Sequence, residues 1–344
     1  MTATPREVMY QTLACEGPAR APRQLWALPW PALHHPAALR AIRAAYPDDI
    51  GAPPVTLGVP YRRKQGDPHA VGTATDAWGC VFVNIQQGII GEVRDPIVRD
   101  WAADRARVHI PREELTFDAD AVNRFCDESD LFLMAACCPR PFEQLQFIMG
   151  TAALYMELME PSAAFQAFLR EMHGFYCELA ERWMKETRVD ALFFMDDWGS
   201  QQDLLISPSL WCDVFKPLYR DYIDIAHAHG KKAFMHSDGQ ILKIYPHLVE
   251  LGVDALNSQI FCMGIENLEP FAGHITFWGE MDRQQLLVHA TPEEIATAVE
   301  RVHRILWRNG GCIAQCEFGL GARPENVRQV FASWDRLTAR PAQA

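Results

Sequence analysis

A regular alternation in the second half of the chain constrains the fold more than any other feature of the sequence. Short apolar runs alternate there with stretches of roughly 10 to 20 residues that show helical periodicity. The runs are Ala191–Met195, Lys232–Met235, Asp254–Leu256, Ile275–Trp278 and Cys312–Ala314. Because successive parallel strands need a crossover connection, which is usually a helix, this pattern predicts βα units and a parallel sheet.

Helix signals stand around these runs. Ser207-Pro208 and Thr291-Pro292 each place a capping hydroxyl before a first-turn proline, which predicts a helix that begins at the proline. The long stretch Ser162–Glu186, before the first run, also has helical periodicity. The predicted helices therefore stand where βα units require them.

The first half of the chain is less regular. Arg23–Leu28 and Leu131–Cys137 have the composition of strands, and Val81–Val93 predicts a β-hairpin that turns at Gln87-Gly88. The first two of these segments bring the candidate barrel strands to seven, and the pattern does not locate an eighth.

Together the elements predict an α/β fold in which residues 1–344 form a single (β/α)8 TIM barrel. We expect an N-terminal helical and β-hairpin insertion at 50–110 and a loose tail at 337–344. A doubly wound open sheet is the alternative, but no GxGxxG motif follows a first strand.

Charge and composition exclude several classes of protein. Acidic residues outnumber basic ones by 44 to 32, which gives a formal net charge of −12 and disfavours binding to nucleic acid or to anionic membranes. No apolar run approaches the roughly 20 residues of a membrane helix, and the N-terminus lacks the apolar core of a signal peptide. The ten cysteines include no CxxC pair and indicate reduced thiols. We therefore expect a cytoplasmic protein that acts on a small molecule.

Polar side chains follow all five apolar runs of the second half. In a (β/α)8 barrel the active site lies at the C-terminal ends of the strands, so these side chains are expected to meet at one rim. The segments are Asp196-Asp197-Trp198-Gly199, His236-Ser237-Asp238-Gly239, Asn257-Ser258-Gln259, Gly279-Glu280-Met281-Asp282 and Gln315-Cys316-Glu317. This concentration is the strongest sign of an active site that the residues alone provide.

His236, Asp238 and Cys316 form the sharpest subset of these residues. Side chains alternate along a strand, so His236 and Asp238 can point the same way. Imidazole, carboxylate and thiolate at one rim suit a divalent metal such as zinc. The alternative is a His–Asp hydrogen bond beside a buried thiol. The candidates for a fourth ligand are Gln259, Cys262 and Glu280.

The adjacent carboxylates Asp196 and Asp197 have two interpretations. They can bind a cationic or hydroxylated substrate, or one of them can act as an acid with a raised pKa. Helix capping by one and solvation of the other is the alternative. In the first interpretation, Trp198 adds an aromatic wall for the substrate.

Four further residues are candidates for the site. Glu280 is predicted to be catalytic, and Asp282 to bind substrate, although Asp282 can instead cap the next helix. Gln259 is a second candidate for substrate binding. Arg23, at the start of the first predicted strand, can bind a substrate carboxylate through two hydrogen bonds, or it can be a surface arginine.

With these residues in view, the chain resembles the uroporphyrinogen decarboxylase superfamily. The resemblance covers most of the length, and it implies a (β/α)8 barrel. The motifs that carry it are Asp76-Ala77-Trp78-Gly79-Cys80, Asp196-Asp197-Trp198-Gly199, His236-Ser237-Asp238-Gly239 and Pro324-Glu325-Asn326-Val327.

This superfamily contains two chemistries, and the chain departs from both patterns. Decarboxylases of uroporphyrinogen need no metal and carry an Arg-Gln-Ala-Gly-Arg motif, whereas here Leu25 follows Arg23-Gln24 and the second arginine is missing. Methyltransferases of the superfamily, including corrinoid-dependent coenzyme M enzymes, hold zinc through a His-x-Cys pair and a distant cysteine. His236 and Cys316 match that pattern, but Asp238 replaces the near cysteine and makes the site harder.

The resemblance therefore implies a metal-dependent methyl or alkyl transferase with zinc as the metal. The cation, held by His236, Asp238 and Cys316, would activate a thiol or hydroxyl acceptor. Asp196 and Asp197 would orient the donor or the substrate. A partner protein would carry a corrinoid as methyl donor, and a homodimer is reasonable for this superfamily.

Two alternatives remain open at this point. A metal-independent decarboxylase (lyase) of a tetrapyrrole-like or small carboxylic acid would use Asp197 to stabilise the protonated intermediate and Arg23 to hold a carboxylate. A non-catalytic small-molecule binding protein on the same scaffold is the second alternative.

Overall fold

A computed structural model describes residues 3–339 of the chain. The strands of the described residues are β1 (Arg23–Trp26), β2 (Ile50–Gly51), β3 (Gly72–Thr75), β4 (Val81–Asn84), β5 (Glu92–Val93), β6 (Phe132–Leu133), β7 (Ala191–Met195), β8 (Lys232–Ser237), β9 (Ala255–Ser258), β10 (Thr276–Trp278) and β11 (Cys312–Glu317).

The α-helices surround these strands and alternate with them after β6. They are α1 (Pro5–Leu13), α2 (Pro29–His34), α3 (Pro36–Ala45), α4 (Trp101–Asp104), α5 (Ala119–Glu128), α6 (Pro141–Met149), α7 (Thr151–Met159), α8 (Ala163–Glu186), α9 (Pro208–Val214), α10 (Lys216–Ala228), α11 (Tyr245–Leu251), α12 (Ile260–Met263), α13 (Leu286–His289), α14 (Pro292–Leu306) and α15 (Pro324–Thr338). Short 3-10 helices cover Arg105–Arg107, Arg112–Leu115 and Ile265–Phe271. Among the described helices, none has the length and apolar character needed to cross a bilayer.

A six-stranded parallel sheet forms the frame of the molecule. Its strand order is β1-β11-β10-β9-β8-β7, so each of the five apolar runs is a strand beside its neighbour in the chain. The prediction of an α/β fold with parallel strands is therefore confirmed. The predicted helix starts are confirmed as well, because the Ser207 hydroxyl accepts from the Leu210 N–H and Thr291 forms a capping box with Glu294.

A two-stranded parallel sheet, β2 with β6, stands between the edges of the larger sheet. The Asp49 N–H donates to the Arg23 carbonyl at 2.8 Å, which links the segment before β2 to β1. On the other side, Met134 pairs with Ala191 of β7 in a parallel bridge. β2, which has only two residues, is not among the strands that the sequence predicts.

Side chains from all of these parallel strands meet in one apolar cluster. Its members on the strands or directly after them are Trp26, Ile50, Phe132, Met134, Ala191, Phe193, Phe234, Ala255, Trp278 and Ile313. Met9 and Leu13 of α1 join the same cluster. A second and larger core lies between the strands and the surrounding helices. Alternate residues of a strand therefore contribute to different cores.

An antiparallel sheet, β3-β4-β5, occupies the predicted insertion. The predicted hairpin is confirmed, since β4 pairs with β5 across residues 85–91. The boundaries differ from the prediction of 50–110, because Ile50–Gly51 is a strand of the parallel pair. At the other end of the chain, α15 includes residues 337 and 338 of the predicted tail, and residues 340–344 lie outside the described ones.

Candidate active site

Adjacent parallel strands bring the polar side chains of Asp197, His236 and Asp238 together at their C-terminal ends. Met195 of β7, His236 of β8 and Asn257 of β9 are neighbours in register. Phe234 belongs to the inner apolar cluster, so alternation also directs the side chain of His236 inward. Asp197 and Asp238 follow the ends of β7 and β8, which places both carboxylates beside the imidazole.

The ligand atoms of His236, Asp197 and Asp238 all lie within 4.8 Å of one another. His236 Nε2 is 3.4 Å from Asp197 Oδ1 and 3.7 Å from Asp238 Oδ1. Asp238 Oδ1 is buried, and no group within residues 3–339 forms a hydrogen bond with it. Such a carboxylate oxygen, aimed at an imidazole nitrogen and a second carboxylate, is a plausible ligand for a divalent cation.

Asn257 sets the tautomer of His236. The Asn257 Nδ2 group donates to the Trp278 carbonyl, which can only accept, so Oδ1 must face His236. His236 Nδ1 therefore carries the proton in its 2.6 Å hydrogen bond to that oxygen. In the neutral ring, this arrangement leaves the lone pair of Nε2 directed at the two carboxylates, as in histidines that bind metals.

The protonation of the trio formed by Asp197, His236 and Asp238 depends on whether a cation is present. Burial favours the neutral ring of His236, but the carboxylates of Asp197 and Asp238 outweigh it and raise the pKa to about 9. Burial also opposes ionisation of Asp197, yet its contacts with His236, the Asp238 N–H and Arg283 hold its pKa below the ordinary value. The site is thus built for positive charge beside two carboxylates.

Arg283, which was not among the predicted site residues, connects several acidic residues at the mouth of the strands, the region around the trio at their C-terminal ends. Its guanidinium pairs with Asp238 Oδ2, with Glu280 at 3.0 Å and with Glu317 at 2.9 Å. The side chain is 23% exposed and comes from the loop after β10. No motif or strand position marks this arginine in the sequence. It holds one oxygen of Asp238 and leaves Oδ1 toward His236.

Glu280 lies at the same mouth and is buried. Burial is the main reason that its pKa rises to about 8, although Arg283 favours the ionised form. Glu280 Oε2 has no hydrogen-bond partner in the part of the chain that the structure describes. Burial thus favours the protonated form, in which Oε2 can donate a hydrogen bond.

Asp196 occupies a different environment from its neighbour Asp197. It is fully buried, and its oxygens accept from the Glu143 N–H at 2.7 Å, the Phe142 N–H and the Tyr219 hydroxyl. These contacts are those of a cap at the first turn of α6. Burial raises the pKa of Asp196 despite them. The structure does not bring Asp196 into the trio around His236.

Two other predicted substrate-binding residues also lie away from the mouth. Trp198 is fully buried and stacks on Phe142 with ring centroids 4.1 Å apart, so it is part of the core between strands and helices. Arg23 forms a bidentate ion pair with Asp335 of α15. Both side chains have structural partners that the sequence pattern could not reveal.

Cys316 is not a member of the trio. β11 extends through Glu317, and Ile313 faces the inner cluster, so alternation directs Cys316 to the opposite side. The thiol is buried in the core between strands and helices, where burial raises its pKa well above the ordinary value. The predicted ligand set of His236, Asp238 and Cys316 is therefore corrected to His236, Asp238 and Asp197.

A small cavity of about 230 Å³ adjoins the mouth beside Glu280 and Arg283. Gln259 and Asp282 line it, as does Cys262. Asp282 Oδ1 also accepts from the N–H groups of residues 284 and 285 in the turn before α13, but it does not cap that helix, whose N-cap is Gln285. Cys262 Sγ lies 3.1 Å from the Gln259 carbonyl and outside the group of candidate ligands.

A much larger cavity, of about 820 Å³, lies between the insertion and the ends of β6 and β7. Met195, the register neighbour of His236, lines it together with Glu143 and Arg140. Of the guanidinium donors of Arg140, one bonds Glu143 at 3.2 Å, and the others have no acceptor within the described ranges. The aromatic walls are Tyr61, Trp78, Phe82, Phe147, Tyr176, Trp183 and Phe193.

Comparison with known proteins gives a likeness of fold. A methyltransferase from Methanosarcina mazei shares 12% sequence identity over 97% of this chain and 99% of its own, with a TM-score of 0.65. A glycosylated endo-β-1,4-xylanase of glycoside hydrolase family 10 from Gloeophyllum trabeum is 10% identical over 94% of this chain and 99% of its own, with a TM-score of 0.45. No protein-family model matches the chain, and no curated protein matches it. The first likeness shows a common fold along the whole chain.

Proposed function

We propose that the protein is a metal-dependent transferase that moves a methyl or alkyl group to a thiol or hydroxyl acceptor. His236, Asp197 and Asp238 would hold the divalent cation. The observation that carries the proposal is the buried Asp238 Oδ1, which has no hydrogen-bond partner among residues 3–339 and faces His236 Nε2. The hydrogen bond from His236 Nδ1 to Asn257 supports the same interpretation.

One imidazole and two carboxylates are compatible with zinc and with harder divalent metals. Such a cation would supply Lewis acidity that lowers the pKa of the acceptor's thiol or hydroxyl. The chain's own residues have separate tasks. Arg283 fixes Asp238 by its ion pair, and Asn257 fixes the ring of His236. Glu280, whose pKa is raised by burial, would in its protonated form donate a hydrogen bond to a bound substrate at the mouth.

The architecture in this proposal is a closed (β/α)8 barrel. The backbone bond from Asp49 to Arg23 and the bridge between Met134 and Ala191 support closure of the six-stranded sheet by β2 and β6. The shared inner cluster supports it too. Closure would place the trio at the C-terminal rim, the usual position for catalytic residues in this fold.

The large cavity would receive the substrate. Its aromatic walls favour a ligand with an apolar or aromatic body, and its volume lies in the usual range for small-molecule sites. The free donors of Arg140 would orient a polar group of that ligand near Glu143. The methyl donor is expected on a corrinoid protein partner, and a homodimer is the expected assembly. The fold shared with the M. mazei methyltransferase is compatible with this proposal.

Elemental analysis of protein purified without chelators tests the metal site. We expect His236→Ala to lose one equivalent of metal relative to the wild type, because the variant lacks the central ligand. His274→Ala is the matched control, since His274 is exposed and outside the group of candidate ligands. Equal metal content in His236→Ala and the wild type would contradict the proposal.

A second candidate function is a metal-independent carboxy-lyase. The two carboxylates that raise the pKa of His236 to about 9 favour it, because they supply an imidazolium at neutral pH without a metal. The candidate to hold the substrate carboxylate is then Arg140 rather than Arg23, which is paired with Asp335. Release of carbon dioxide that persists in excess chelator would favour this function over the transferase.

A further inference from the structure

A second group of metal-ligand side chains lies on the outer helices, apart from the trio at the mouth. His173 and Cys177 are one turn apart on α8, and Asp221 faces them from the adjacent α10. Their ligand atoms lie within 4.8 Å of one another. His173 Nε2 is 2.8 Å from Asp221 Oδ2 and 3.5 Å from Cys177 Sγ. Cys177 Sγ is also 3.7 Å from His173 Nδ1, so the thiol lies beside the ring, whereas Nε2 faces the carboxylate.

Tyr222 secures the other nitrogen of the same ring. Its hydroxyl lies 3.1 Å from His173 Nδ1, and its side chain is fully buried between the helices. A histidine whose Nδ1–H is held in this way presents the lone pair of Nε2 in a fixed direction. The direction here is toward Asp221 Oδ2, with the Cys177 thiol beside the ring.

We propose that His173, Cys177 and Asp221 form a peripheral site for a thiophilic divalent cation of the zinc class. Imidazole, thiolate and carboxylate are the three zinc ligand types. Ligand atoms about 2.0–2.3 Å from a tetrahedral ion lie roughly 3.3–3.7 Å apart. The three side chains would reach this geometry by a rotation of Cys177 toward Nε2 and a slight separation of His173 from Asp221. Asp221 is 56% exposed, which leaves an entry path and room for water as the fourth ligand.

Binding would exchange two protons for the cation, because His173 Nε2 also gives up the proton of its hydrogen bond to Asp221. The Cys177 thiol releases its proton to the solvent, and the thiolate, the neutral imidazole and the carboxylate bind the metal ion. The ion would connect α8, the longest described helix, to α10 and would stabilise the folded chain by mass action. This site is independent of the proposed function, because none of its residues belongs to the mouth of the strands.

Titration of the full-length protein with Co²⁺ tests the site. A thiolate bound to Co²⁺ gives an intense ligand-to-metal charge-transfer absorption in the near ultraviolet, whereas a site with only nitrogen and oxygen ligands does not. We expect one equivalent of this absorption per chain, and we expect Zn²⁺ to abolish it by displacement. Absence of the absorption in the wild type would overturn the proposal.

Variants assign the signal to these residues. Cys177→Ser is expected to lose the absorption, and Cys212→Ser, the matched control at another partly buried cysteine, is expected to keep it. His236→Ala should also keep it, which separates this site from the one at the mouth. Retention of the absorption in Cys177→Ser would overturn the assignment. Asp221→Asn alters only an exposed side chain and should weaken Co²⁺ binding at least tenfold, and unchanged affinity in this variant would contradict the site.

Tyr222→Phe tests the positioning role of the hydroxyl. We expect roughly tenfold weaker Co²⁺ binding, the usual effect of losing a group that orients a ligand histidine. The charge-transfer absorption should survive at saturating Co²⁺, because all three ligands remain. Unchanged affinity would contradict the role of Tyr222.

Discussion

One hydrogen bond distinguishes a metal site from an ion pair at His236. In the metal site, Asn257 holds the Nδ1–H so that Nε2 faces Asp197 and Asp238. Asn257→Ala should therefore weaken metal binding about 10- to 100-fold, measured by competition with a chelator of known affinity. Asn267→Ala, at an exposed asparagine outside the site, is the control. Equal affinities for the two variants would show that Asn257 has no part in metal binding.

Asp48 provides a test of pH-dependent stability away from the site. Burial raises its pKa to about 6, against the opposing effects of the Leu25 N–H and Arg43. The folded chain thus binds the proton more tightly than the unfolded chain, for which the pKa is about 3.9. The contribution of protonated Asp48 to stability is complete below pH 4 and is lost as the pH rises through about 6.

Asp48→Asn removes this titration and keeps an oxygen for the Leu25 N–H. We expect the variant to match the wild type below pH 4 and to exceed its free energy of unfolding at pH 7.5, by roughly 1 to 2 kcal/mol. Urea denaturation at several pH values measures the difference. A gap between the two proteins that stays constant from pH 4 to 7.5 would disprove the assignment to Asp48.

Substitutions at the two adjacent aspartates, Asp196 and Asp197, should distinguish an effect on helix stability from an effect on metal binding. Asp196 caps α6 and accepts from Tyr219, so Asp196→Ala should lower the free energy of unfolding by about 1 to 3 kcal/mol and retain the metal. Asp197→Ala should retain most of the stability and lose the metal at the mouth, because it removes a carboxylate beside His236. Chemical denaturation and elemental analysis of both variants check this contrast. Loss of metal in Asp196→Ala, or retention of metal in Asp197→Ala, would contradict the roles assigned to these two aspartates.

The sequence predicts elements well where burial leaves a pattern. β7 to β11 were visible because each apolar run is buried on both faces, in the inner cluster and under the helices. β2 was not visible, because Ile50–Gly51 stands between Asp48-Asp49 and Pro53-Pro54 with no apolar run around it, whereas the equally short β6 lies within the apolar run Leu131–Cys137. The hairpin of β4 and β5 was recognised from its turn residues.

The prediction of the candidate site from the sequence was likewise correct at some positions and wrong at others. His236 and Asp238 were found from their place at a strand end, and Asp197 was identified in a different role. Cys316 was misplaced because the apolar run Cys312–Ala314 ends before the strand does. The sequence therefore did not show that Cys316 is still part of the strand and that its side chain alternates to the side of the helices. Arg283 lies in a loop, and only the folded chain shows its acidic partners.

For the whole molecule, the two proposed metal sites predict a stoichiometry that neither predicts alone. The wild type should bind two equivalents of divalent metal, one at the mouth and one between α8 and α10. His236→Ala and Cys177→Ser should each bind one equivalent, and the double variant none. Equilibrium dialysis followed by elemental analysis counts the ions. A double variant that still binds an equivalent would show that metal is held by other residues.

Thermal stability should report the same two sites. A ligand that binds only the folded chain stabilises it by about 2.7 kcal/mol at a concentration one hundred times its Kd, so each site should raise the Tm of the wild type independently. Excess chelator should lower the Tm of the wild type, shift each single variant by part of that amount, and leave the double variant unchanged. Because the sites lie on different elements, their contributions should add. A single variant that abolishes the whole shift would instead indicate one shared site.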